Sequence, residues 1–415
     1  MKHFVRPLGF AGAAIILAVS PFGSLPASEY NVNLTLDIAD YNPGDGICST
    51  RDPSIYPRWC TLRAAIQEAN VNPGSDVVSL ERFAYQLSIA GINEDNCASG
   101  DLDVTDSLTI RGASADETFI DAAGLDRAIH VRGKVELTLD KLTVKGGSAL
   151  DNAAYPAGLG GGVLVENEAF LRLHYSRVEG NRALAGGGIG GWHAGEIEVL
   201  YSEIRDNEIR EAAGYMSLGG ALHLEPQGGG LLTHYVEVAY STISGNGCLS
   251  GTAASCTGGL VLLYCGTDPN TGLRMSNSTV SGNEGSGITV NSCIVDIDNA
   301  TIYGNTGYGI NIYSGALLPP RARNTIFAHN GLQDCNIVPG LDFNLNYNLS
   351  SDESCDLNPT VIDKVNTDPE LYPLGTYDPV APSITRTHAP KWDSPVIDEG
   401  GSLNNLPTDD QEGYP

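Results

Sequence analysis

Short runs of alternating apolar and polar residues recur along this chain, and each run ends in asparagine. They occupy residues 175–181, 201–207, 240–246, 277–283 and 299–305, and a looser copy follows at 324–330. Three places before the final asparagine stands a β-branched residue, namely Val178, Ile204, Ile243, Val280 and Ile302. This is the alternation of a strand with one buried face. Recurrence every few tens of residues indicates a solenoid, whose coils bury their apolar faces only by stacking on one another.

Two more alternating segments belong to each repeat. One lies upstream and supplies the inward pairs Leu171/Leu173, Ile197/Val199, Val236/Val238, Leu273/Met275 and Val295/Ile297. The other follows a glycine cluster and supplies Val163/Val165, Leu222/Leu224, Leu260/Leu262, Ile288/Val290 and Ile310/Ile312. A strand that returns beside its own previous copy must pair in parallel with it, and such crossovers are right-handed. The sequence therefore predicts an all-β fold, a right-handed parallel β-helix.

The asparagine that ends each copy has a structural explanation. Asparagine tolerates the left-handed backbone of a sharp corner, and stacked asparagines can hydrogen-bond from coil to coil. We therefore interpret the asparagines as a ladder rather than as catalytic residues. The interval between copies varies from 22 positions (Asn283 to Asn305) to 39 (Asn207 to Asn246). We expect the extra residues to leave the coils as loops, where binding usually resides.

The N-terminal part divides into a signal and a cap. Residues 1–27 combine a basic start, an apolar core and small residues before Ser28, which is typical of a secretory signal peptide. Residues 28–100 are predicted to form an N-terminal cap: a strand over 31–40, a disulfide loop, and a helix in which Leu62, Ala65, Ile66 and Ala69 share one face. We expect this helix to cover the open end of the first coil. Residues 101–350 are assigned to the rungs and residues 351–415 to a C-terminal cap and extended tail.

Nine cysteines in an exported chain are expected to pair in an oxidising compartment. Aligning Gly259 with Gly287 places Cys265 and Cys293 at the same position of neighbouring coils, about 4.8 Å apart, within reach of a disulfide. We predict the pairs Cys265–Cys293, Cys48–Cys60, Cys248–Cys256 and Cys335–Cys355, with Cys97 left over. Metal binding by these thiols is the alternative, but the chain has no Cys-x-x-Cys pair.

The net charge of the chain restricts the kinds of molecule that it can bind. The chain has 23 Lys and Arg against 50 Asp and Glu, a formal net charge of −27. Such a surface repels nucleic acid, and it repels acidic polysaccharide unless a cation such as Ca²⁺ bridges the two. We predict no nucleic-acid partner, no transmembrane segment after removal of the signal, and a monomer. A well-hydrated exterior explains the charge without any partner.

Outward positions on neighbouring coils form columns. Arg177 is expected beside Glu203 and Glu179 beside Arg205, in exposed ion pairs that fix register and add solubility. A second column of hydroxyls, Thr242, Thr279 and Thr301, could present a flat strip for a sugar or surface, although threonine is also simply a good strand residue.

Residues whose side chains suit catalysis or substrate binding concentrate in two consecutive repeats. The candidates are Trp192, His193, Glu196 and Glu198 in one repeat and His223 and Glu225 in the next, with Arg172, Arg205 or Arg274 as a base or a substrate clamp. A polysaccharide lyase needs acids for Ca²⁺ and a basic residue that removes a proton, and a glycoside hydrolase needs two acids at a set separation. Spacing selects no trio among these residues, so the sequence assigns no catalytic or metal-binding residue, and solvated side chains remain the simpler explanation.

One segment of the cap resembles a known family. Residues 60–66, Cys-Thr-Leu-Arg-Ala-Ala-Ile, are similar to the Cys-Ser-Leu-Arg-Glu-Ala-Ile box of bacterial exported β-helix proteins, with Thr61 in place of Ser and Ala64 in place of Glu. The box is followed by residues 68–70 and 74–76, and the closing segment of that family is matched by 368–369, 394–398 and 410–411. The resemblance implies a secreted or cell-surface bacterial protein, usually without a known activity.

Two functions follow as hypotheses. The first is a secreted or cell-surface β-helix that binds a polysaccharide, another surface component or a protein without catalysis and needs no cofactor. The second is a carbohydrate-active β-helix enzyme, a polysaccharide lyase or a glycoside hydrolase, with Ca²⁺ as a possible cofactor. An enzyme should bring three or more acids or bases from neighbouring rungs together in a groove, whereas scattered charges favour binding.

Overall fold

The fold was analysed in a computed structural model of the 415-residue chain. The structure describes residues 27–150, 158–210, 218–226, 235–248, 256–265, 271–313, 319–338, 344–357, 362–377 and 384–401. The signal peptide predicted at residues 1–27 lies almost wholly outside this part of the chain. Every strand pairing in the sheets is parallel, and three long sheets run along the molecule. This confirms the predicted right-handed parallel β-helix.

The first long sheet, sheet 1, has eleven strands. They are β1 (Glu29–Asn31), β2 (Asp76–Ser79), β5 (Leu108–Arg111), β8 (Glu136–Asp140), β11 (Phe170–His174), β15 (Ile197–Leu200), β19 (Tyr235–Ala239), β23 (Gly272–Ser276), β26 (Ile294–Asp298), β29 (Arg321–Arg323) and β32 (Asn344–Asn346).

The second, sheet 2, has nine strands. They are β4 (Leu102–Val104), β7 (Ile129–Arg132), β10 (Val163–Glu166), β14 (Ile189–Trp192), β18 (Leu222–Glu225), β22 (Leu260–Leu263), β25 (Ile288–Asn291), β28 (Tyr308–Ile312) and β31 (Gln333–Ile337).

The third, sheet 3, has ten strands. They are β3 (Ala84–Gln86), β6 (Phe119–Asp121), β9 (Thr143–Lys145), β12 (Arg177–Glu179), β16 (Glu203–Arg205), β20 (Thr242–Ser244), β24 (Thr279–Ser281), β27 (Thr301–Tyr303), β30 (Ile326–Ala328) and β33 (Leu349–Ser350). A short fourth sheet contains β13 (Arg182–Ala183), β17 (Glu208–Ile209) and β21 (Gly247–Cys248).

The apolar positions of successive coils stack into continuous files. The β-branched residues of the repeated pattern are register partners on sheet 3, and all are completely buried. They are Val178, Ile204, Ile243, Val280 and Ile302. The inward residues of sheets 1 and 2 meet them in one core. Because each coil is covered by the next, the aliphatic side chains leave water without any contribution from helices.

The repeated asparagines form a continuous ladder inside the corner. Asn181 donates from Nδ2 to Asn207 Oδ1 at 3.0 Å, and the same bond recurs through the rest of the column: Asn207 to Asn246, Asn246 to Asn283, Asn283 to Asn305, and Asn305 to Asn330. Asn181, Asn207, Asn246, Asn283 and Asn305 are completely buried. The ladder predicted for the asparagines is therefore confirmed. The left-handed backbone expected at them is wrong, because the positive φ belongs to the preceding residue, as at Asp206 (55°) and Gly245 (66°).

The glycine clusters let successive coils approach closely. A Cβ built on Gly188 would lie 2.6 Å from the backbone oxygen of Ala221 in the next coil. A Cβ at Gly188 would therefore force the next coil to move, although the aligned position in that coil is Ala221.

Helix α1 (Leu62–Val71) packs against β2 and β4 at the N-terminal end of the cylinder. Its buried face includes the four residues predicted from their spacing, Leu62, Ala65, Ile66 and Ala69. Thr61 is the N-cap, and its side chain accepts a hydrogen bond from the Ala64 backbone N–H. The predicted capping role of the helix is consistent with this position.

Arg63 fixes the cap to the first coils. Its guanidinium is completely buried, forms an ion pair with Asp37 (Nε to Oδ1, 2.6 Å), and donates to backbone oxygens of Cys97, Gly100 and Asp101. Burial by itself would raise the pKa of Asp37, but hydrogen bonds from Arg63, Ser88 and Ile89 lower it below its usual value. A planar donor with five N–H groups suits this site better than a lysine.

The strand predicted over 31–40 is wrong beyond Asn31. Parallel pairing stops with β1, and the backbone N–H groups of Asn33 and Leu34 turn to the oxygen of Cys60 instead. Leu36 is 58% exposed, so the apolar alternation there does not mark a buried strand face. The backbone leaves sheet 1 here, because Asp37 forms an ion pair with Arg63 instead.

All four predicted disulfides are present. Cys48–Cys60, Cys248–Cys256, Cys265–Cys293 and Cys335–Cys355 have Cα–Cα distances of 5.1, 6.3, 4.7 and 4.8 Å. Cys265 and Cys293 connect neighbouring coils, as their alignment predicts. Cys97 is the one unpaired cysteine of the described residues; it is buried, and burial raises its pKa to about 12.

The described parts of the C-terminal tail, 362–377 and 384–401, form what we call the strap. Antiparallel bridges join Leu371 to Pro390 and Gly375 to Thr387. The strap runs back over the outer face of sheet 3, where the backbone N–H of Arg386 donates to Thr242 Oγ1 at 3.0 Å. Thr242 and Thr279 are consequently buried. The hypothesis of an exposed hydroxyl strip at Thr242, Thr279 and Thr301 is wrong, because the tail occupies that face.

The predicted ion pairs on sheet 3 are present, but they are not at an open surface. Arg177 Nε lies 3.0 Å from Glu203 Oε2, and Arg205 Nη2 lies 2.6 Å from Glu179 Oε2. The side chain of Glu203 is only 1% exposed. The strap supplies a second cation there, because Arg386 Nε lies 2.8 Å from Glu203 Oε1.

Candidate functional site

The candidate site residues predicted between positions 192 and 225 are divided between two sheets. Trp192 ends β14 on sheet 2, the chain turns at His193 with φ 50°, and Glu198 lies on β15 of sheet 1. Register pairing places Trp192 beside Glu225. The corner therefore separates Glu196 and Glu198 from Trp192, His223 and Glu225.

The half on sheet 2 has a structural role. His223 is completely buried, and its Nε2 lies 3.2 Å from Glu225 Oε2. Trp192 packs against a second apolar cluster that contains Leu159, Leu164 and Ile209. These contacts fill the space outside sheet 2 and leave His223 no exposed surface.

The half on sheet 1 brings acids and bases from neighbouring coils together. Glu198 Oε1 lies 2.6 Å from His174 Nε2, and Glu198 Oε2 lies 3.1 Å from Arg172 Nη1. Oxygens of Glu196, Glu198 and Glu237 lie within 4.8 Å of one another. Burial, and then the neighbouring carboxylates of Glu198 and Glu196, raise the pKa of Glu237.

The three candidate arginines do not converge. Arg172 and Arg274 occupy one outward column of sheet 1, in the order Arg172, Glu198, Glu237, Arg274. Arg205 lies on sheet 3 with Glu179. It therefore cannot act together with the other two on one ligand.

Sheet 1 is the long sheet whose outward side chains remain accessible. On sheet 3 the outward Arg177, Glu203 and Thr242 are buried. Most outward residues of sheet 2 are buried as well, including His130, His223, Thr289 and Asn311. On sheet 1, in contrast, Arg274 and Arg321 are exposed and Arg172, Glu237 and Asp296 are half-buried. Within the described residues, only this sheet offers a long polar face to a ligand.

A column of tyrosines borders that face. Tyr175, Tyr201 and Tyr240 directly follow β11, β15 and β19, each with a positive φ. Their rings stack, with centroids 5.0 Å apart between Tyr175 and Tyr201 and 4.7 Å apart between Tyr201 and Tyr240. Tyr175 is 47% exposed. The open face therefore has an aromatic edge.

A second cluster was missed by the sequence analysis. Asp103 on β4, His130 on β7 and Glu166 on β10 come from three successive coils of sheet 2 and meet outside it. His130 Nε2 lies 2.8 Å from Glu166 Oε2, and His130 Nδ1 lies 3.4 Å from Asp103 Oδ1. The sequence did contain a pattern that marks two of these residues. Asp103 and His130 are the polar centres of the apolar triplets 102–104 and 129–131, and therefore point outward.

His130 and Glu166 of this cluster line a cavity of about 220 Å³, together with Asp95, Asp101, Arg127 and Arg132. Burial raises the pKa of Asp101 to about 7, although Arg127 Nε lies 2.8 Å away. Burial opposes a charge on His130, but the neighbouring carboxylates of Asp103 and Glu166 raise its pKa above the usual value. A histidine and two carboxylates from neighbouring coils thus meet beside this cavity.

The architecture defines the class: a disulfide-linked right-handed parallel β-helix with a capping helix and a C-terminal strap. No protein family model, no curated protein and no solved structure matches this chain. None of the helices in the described part of the chain has the length and apolar character needed to cross a membrane. The four disulfides are typical of an oxidising, extracytoplasmic compartment.

Proposed function

We propose that this protein is an exported β-helix that binds a glycan along the outer face of sheet 1. The observation that carries the proposal is the contrast between the long sheets: sheet 1 keeps an accessible polar face, whereas sheets 2 and 3 are largely covered. The stacked tyrosines on its border support the same conclusion.

The chemistry of the face suits a carbohydrate. Arginine and carboxylate side chains recur along it at the spacing of the coils, so they can hydrogen-bond to successive hydroxyl groups of an extended chain. The exposed Tyr175 can contact the apolar C–H face of a sugar, because the face of an aromatic ring is a large, rigid and apolar surface. The net charge of −27 favours a neutral or cationic glycan, or an acidic one bridged by Ca²⁺.

The proposed location is the outside of a bacterial cell, free or surface-attached. Two features support it: the disulfides, and the resemblance of residues 60–66 to the opening box of bacterial exported β-helix proteins. In that box Cys60 forms a disulfide, Thr61 caps the helix and Arg63 fixes the cap. Each of these residues therefore has a folding role in the exported protein.

Binding is tested by retention of the purified protein on insoluble glycans. The panel should contain neutral glucan, chitin, chitosan, and a polyuronate with and without Ca²⁺. We expect at least one of them to retain the wild-type protein and Tyr175→Ala or Arg274→Ala to weaken retention. Tyr264→Ala is the matched control, because Tyr264 is 50% exposed and follows β22 on sheet 2. Failure of every glycan to retain the protein, or an equal loss in the control, would reject the proposal.

A second candidate function is a carbohydrate-active enzyme that uses the same face. The observation that favours it is the convergence of Glu196, Glu198 and Glu237 beside Arg172 and His174. Their spacing within 4.8 Å is shorter than the roughly 6.5–9.5 Å that an inverting glycosidase leaves for water, so a retaining hydrolase or a Ca²⁺-dependent lyase fits better. Glu237 would be the proton donor because its pKa is raised.

Turnover separates the two functions. Polyuronates and neutral glycans are incubated with the protein, with and without Ca²⁺, and new reducing ends or unsaturated products are measured. An enzyme should lose activity in Glu237→Gln and keep it in Glu208→Gln, whose carboxylate pairs with Arg182 at the surface. Retention without any turnover supports the binding function alone.

A further inference from the structure

The space between Asp95, Asp103 and His130 has the geometry of a metal site. Oxygens of the two aspartates and a ring nitrogen of His130 lie within 4.8 Å of one another. The two aspartates belong to the segment around Cys97 and to β4, and the histidine belongs to the next coil on β7. Three different segments therefore direct ligand atoms at one point.

Each aspartate uses one oxygen for the fold and directs the other at His130. Asp103 Oδ2 accepts the backbone N–H of Cys97 at 2.7 Å, whereas its Oδ1 lies 3.4 Å from His130 Nδ1. Asp103 is completely buried, and this Oδ1 has no hydrogen-bond partner among the described residues. Asp95 Oδ2 pairs with Arg132 at 2.7 Å, and its Oδ1 lies 3.9 Å from the same Nδ1. A buried carboxylate oxygen without a partner is costly.

The tautomer of His130 also supports a cation site at this point. Glu166 lies 2.8 Å from Nε2, and a carboxylate can only accept, so Nε2 carries the proton. In the neutral ring the lone pair of Nδ1 then faces the oxygens of two carboxylates. Three electron-rich atoms directed at one another need a positive charge between them, which is either a metal ion or a proton on Nδ1. The carboxylate on the far nitrogen is also the usual partner of a metal-bound histidine.

We propose that Asp95, Asp103 and His130 bind a divalent transition-metal ion, with Zn²⁺ as the ion that fits best, and that Glu166 orients the histidine. Two ligands of a tetrahedral Zn²⁺ are about 3.4 Å apart, because each lies about 2.0–2.2 Å from the ion. The distance from Nδ1 to Asp103 Oδ1 is 3.4 Å. An imidazole ligand disfavours Mg²⁺ and Ca²⁺, which prefer oxygen.

The site has an entrance and an open position. The side chain of Asp95 is 52% exposed, so the ion can enter there from water and Asp95 can close the remaining distance. Three protein ligands leave a fourth position directed into the cavity of about 220 Å³. This proposal does not depend on the glycan proposed for sheet 1, whose face lies around the corner of the cylinder.

The test is metal binding by the full-length purified protein after chelation and dialysis. Zn²⁺ is titrated calorimetrically, and Co²⁺ is added separately to record the intense visible absorption of a tetrahedral site. We expect one ion per chain. Asp103→Asn should abolish binding while the protein stays folded, because the asparagine oxygen can still accept from Cys97 and the new NH₂ group can donate to His130 Nδ1.

Two further variants and a control make the result decisive. Asp95→Asn, at a half-exposed position, should weaken binding without affecting folding, and Glu166→Gln should weaken it roughly 10–100-fold as an outer partner. Glu208→Gln, whose carboxylate pairs with Arg182 at the surface, should bind as the wild type does. The proposal is overturned if no ion binds, if Ca²⁺ binds as tightly as Zn²⁺, or if Asp103→Asn binds as tightly as the wild type; the last result would mean that a proton alone occupies Nδ1.

Discussion

Arg386 of the strap donates from Nε to Glu203 Oε1 at 2.8 Å, although the two residues are 183 positions apart in sequence. Glu203 is also held by Arg177 from the coil before it. The C-terminal tail thus completes the neutralisation of a carboxylate inside the surface of sheet 3. The strap is therefore part of the folded cylinder rather than a loose extension.

Replacing Arg386 by glutamine should destabilise the protein. Glu203, which is 1% exposed, would lose one of the three arginines that pair with it, and a hydrogen bond to a charged group contributes about 1.5–3 kcal/mol. Arg182→Gln is the control, because Arg182 and Glu208 form a pair that is 56% and 37% exposed, for which about 0–1 kcal/mol is expected. The free energy of unfolding is measured in urea. Equal effects of the two substitutions would contradict the structural role of the strap.

Interrupting the asparagine ladder should cost more than any surface substitution. Asn246 Oδ1 accepts from both the backbone N–H and the Nδ2 of Asn207, so Asn246→Ala leaves two buried donors without partners. Each costs about 1–3 kcal/mol, and we expect a total loss of about 3 kcal/mol or more. Asn42→Ala, at an exposed asparagine of the disulfide loop, should change stability little. Denaturant unfolding of both variants checks this; a loss below 1 kcal/mol in Asn246→Ala would show that the ladder is dispensable.

The disulfides should contribute in the order of the chain lengths that they close. Cys265–Cys293 spans 28 positions and Cys248–Cys256 spans 8. The loop-entropy relation gives about 3.6 kcal/mol for the first and about 2.5 kcal/mol for the second. Replacing each pair by serines and measuring guanidinium unfolding tests the order. The reverse order would mean that contacts around Cys248 outweigh chain entropy.

The thiol of Cys97 should report on opening of the cap. It is completely buried, and its pKa is raised to about 12, so the native protein should not react with a thiol reagent at pH 8. Arg63→Lys should accelerate labelling, because lysine has three donors where Arg63 uses a planar set of five. Arg58→Lys, at an exposed arginine, is the control. Rapid labelling of the wild-type protein would be incompatible with the closed cap.

The strap should loosen below neutral pH. His388 Nδ1 donates to the backbone oxygen of Tyr372 and Nε2 lies 2.8 Å from Ser281 Oγ, and burial lowers the pKa of His388. Because the folded pKa is below the unfolded value of about 6.5, this contribution to stability is complete above pH 6.5 and is lost as the pH falls from there through the lower folded pKa.

Hydrogen exchange of residues 384–394 at pH 7.5 and 5.5, corrected for the intrinsic rate, measures the effect. His388→Asn keeps a donor towards Tyr372 but does not titrate, so its protection should change less with pH. His329 and Asp368 pair nearby in both proteins, and the comparison removes their contribution. Identical pH dependence in both proteins would assign the effect to those neighbours.

The repeats made much of the fold predictable. Val178, Ile204, Ile243, Val280 and Ile302 recur with the same neighbours, and stacked copies must align because a shift by one residue would turn every apolar side chain outward. The same alignment predicts Cys265 beside Cys293 and Arg177 beside Glu203. The helix followed from spacing alone. The strand over 31–40 failed because Asp37 is drawn to Arg63, a contact that no local pattern records.

The candidate site was predictable only in part. The sequence marked Glu196, Glu198, Arg172 and Arg274. The structure places the last three on sheet 1 and Glu196 directly before β15, and a corner separates them from Trp192 and His223. Asp103, His130 and Glu166 were missed because they are isolated polar residues in three different repeats, and their meeting depends on the number of residues between coils.

The amino-acid sequence by itself determined that the chain coils, which residues face inward, and which positions stack, since these properties repeat with a short period and need only nearest neighbours. Only the tertiary structure decided which faces are open. The strap covers sheet 3 through Arg386 and His388, and apolar residues such as Leu159 and Ile209 pack outside sheet 2. Such contacts depend on the shape and charge of surfaces that exist only after the coils have stacked.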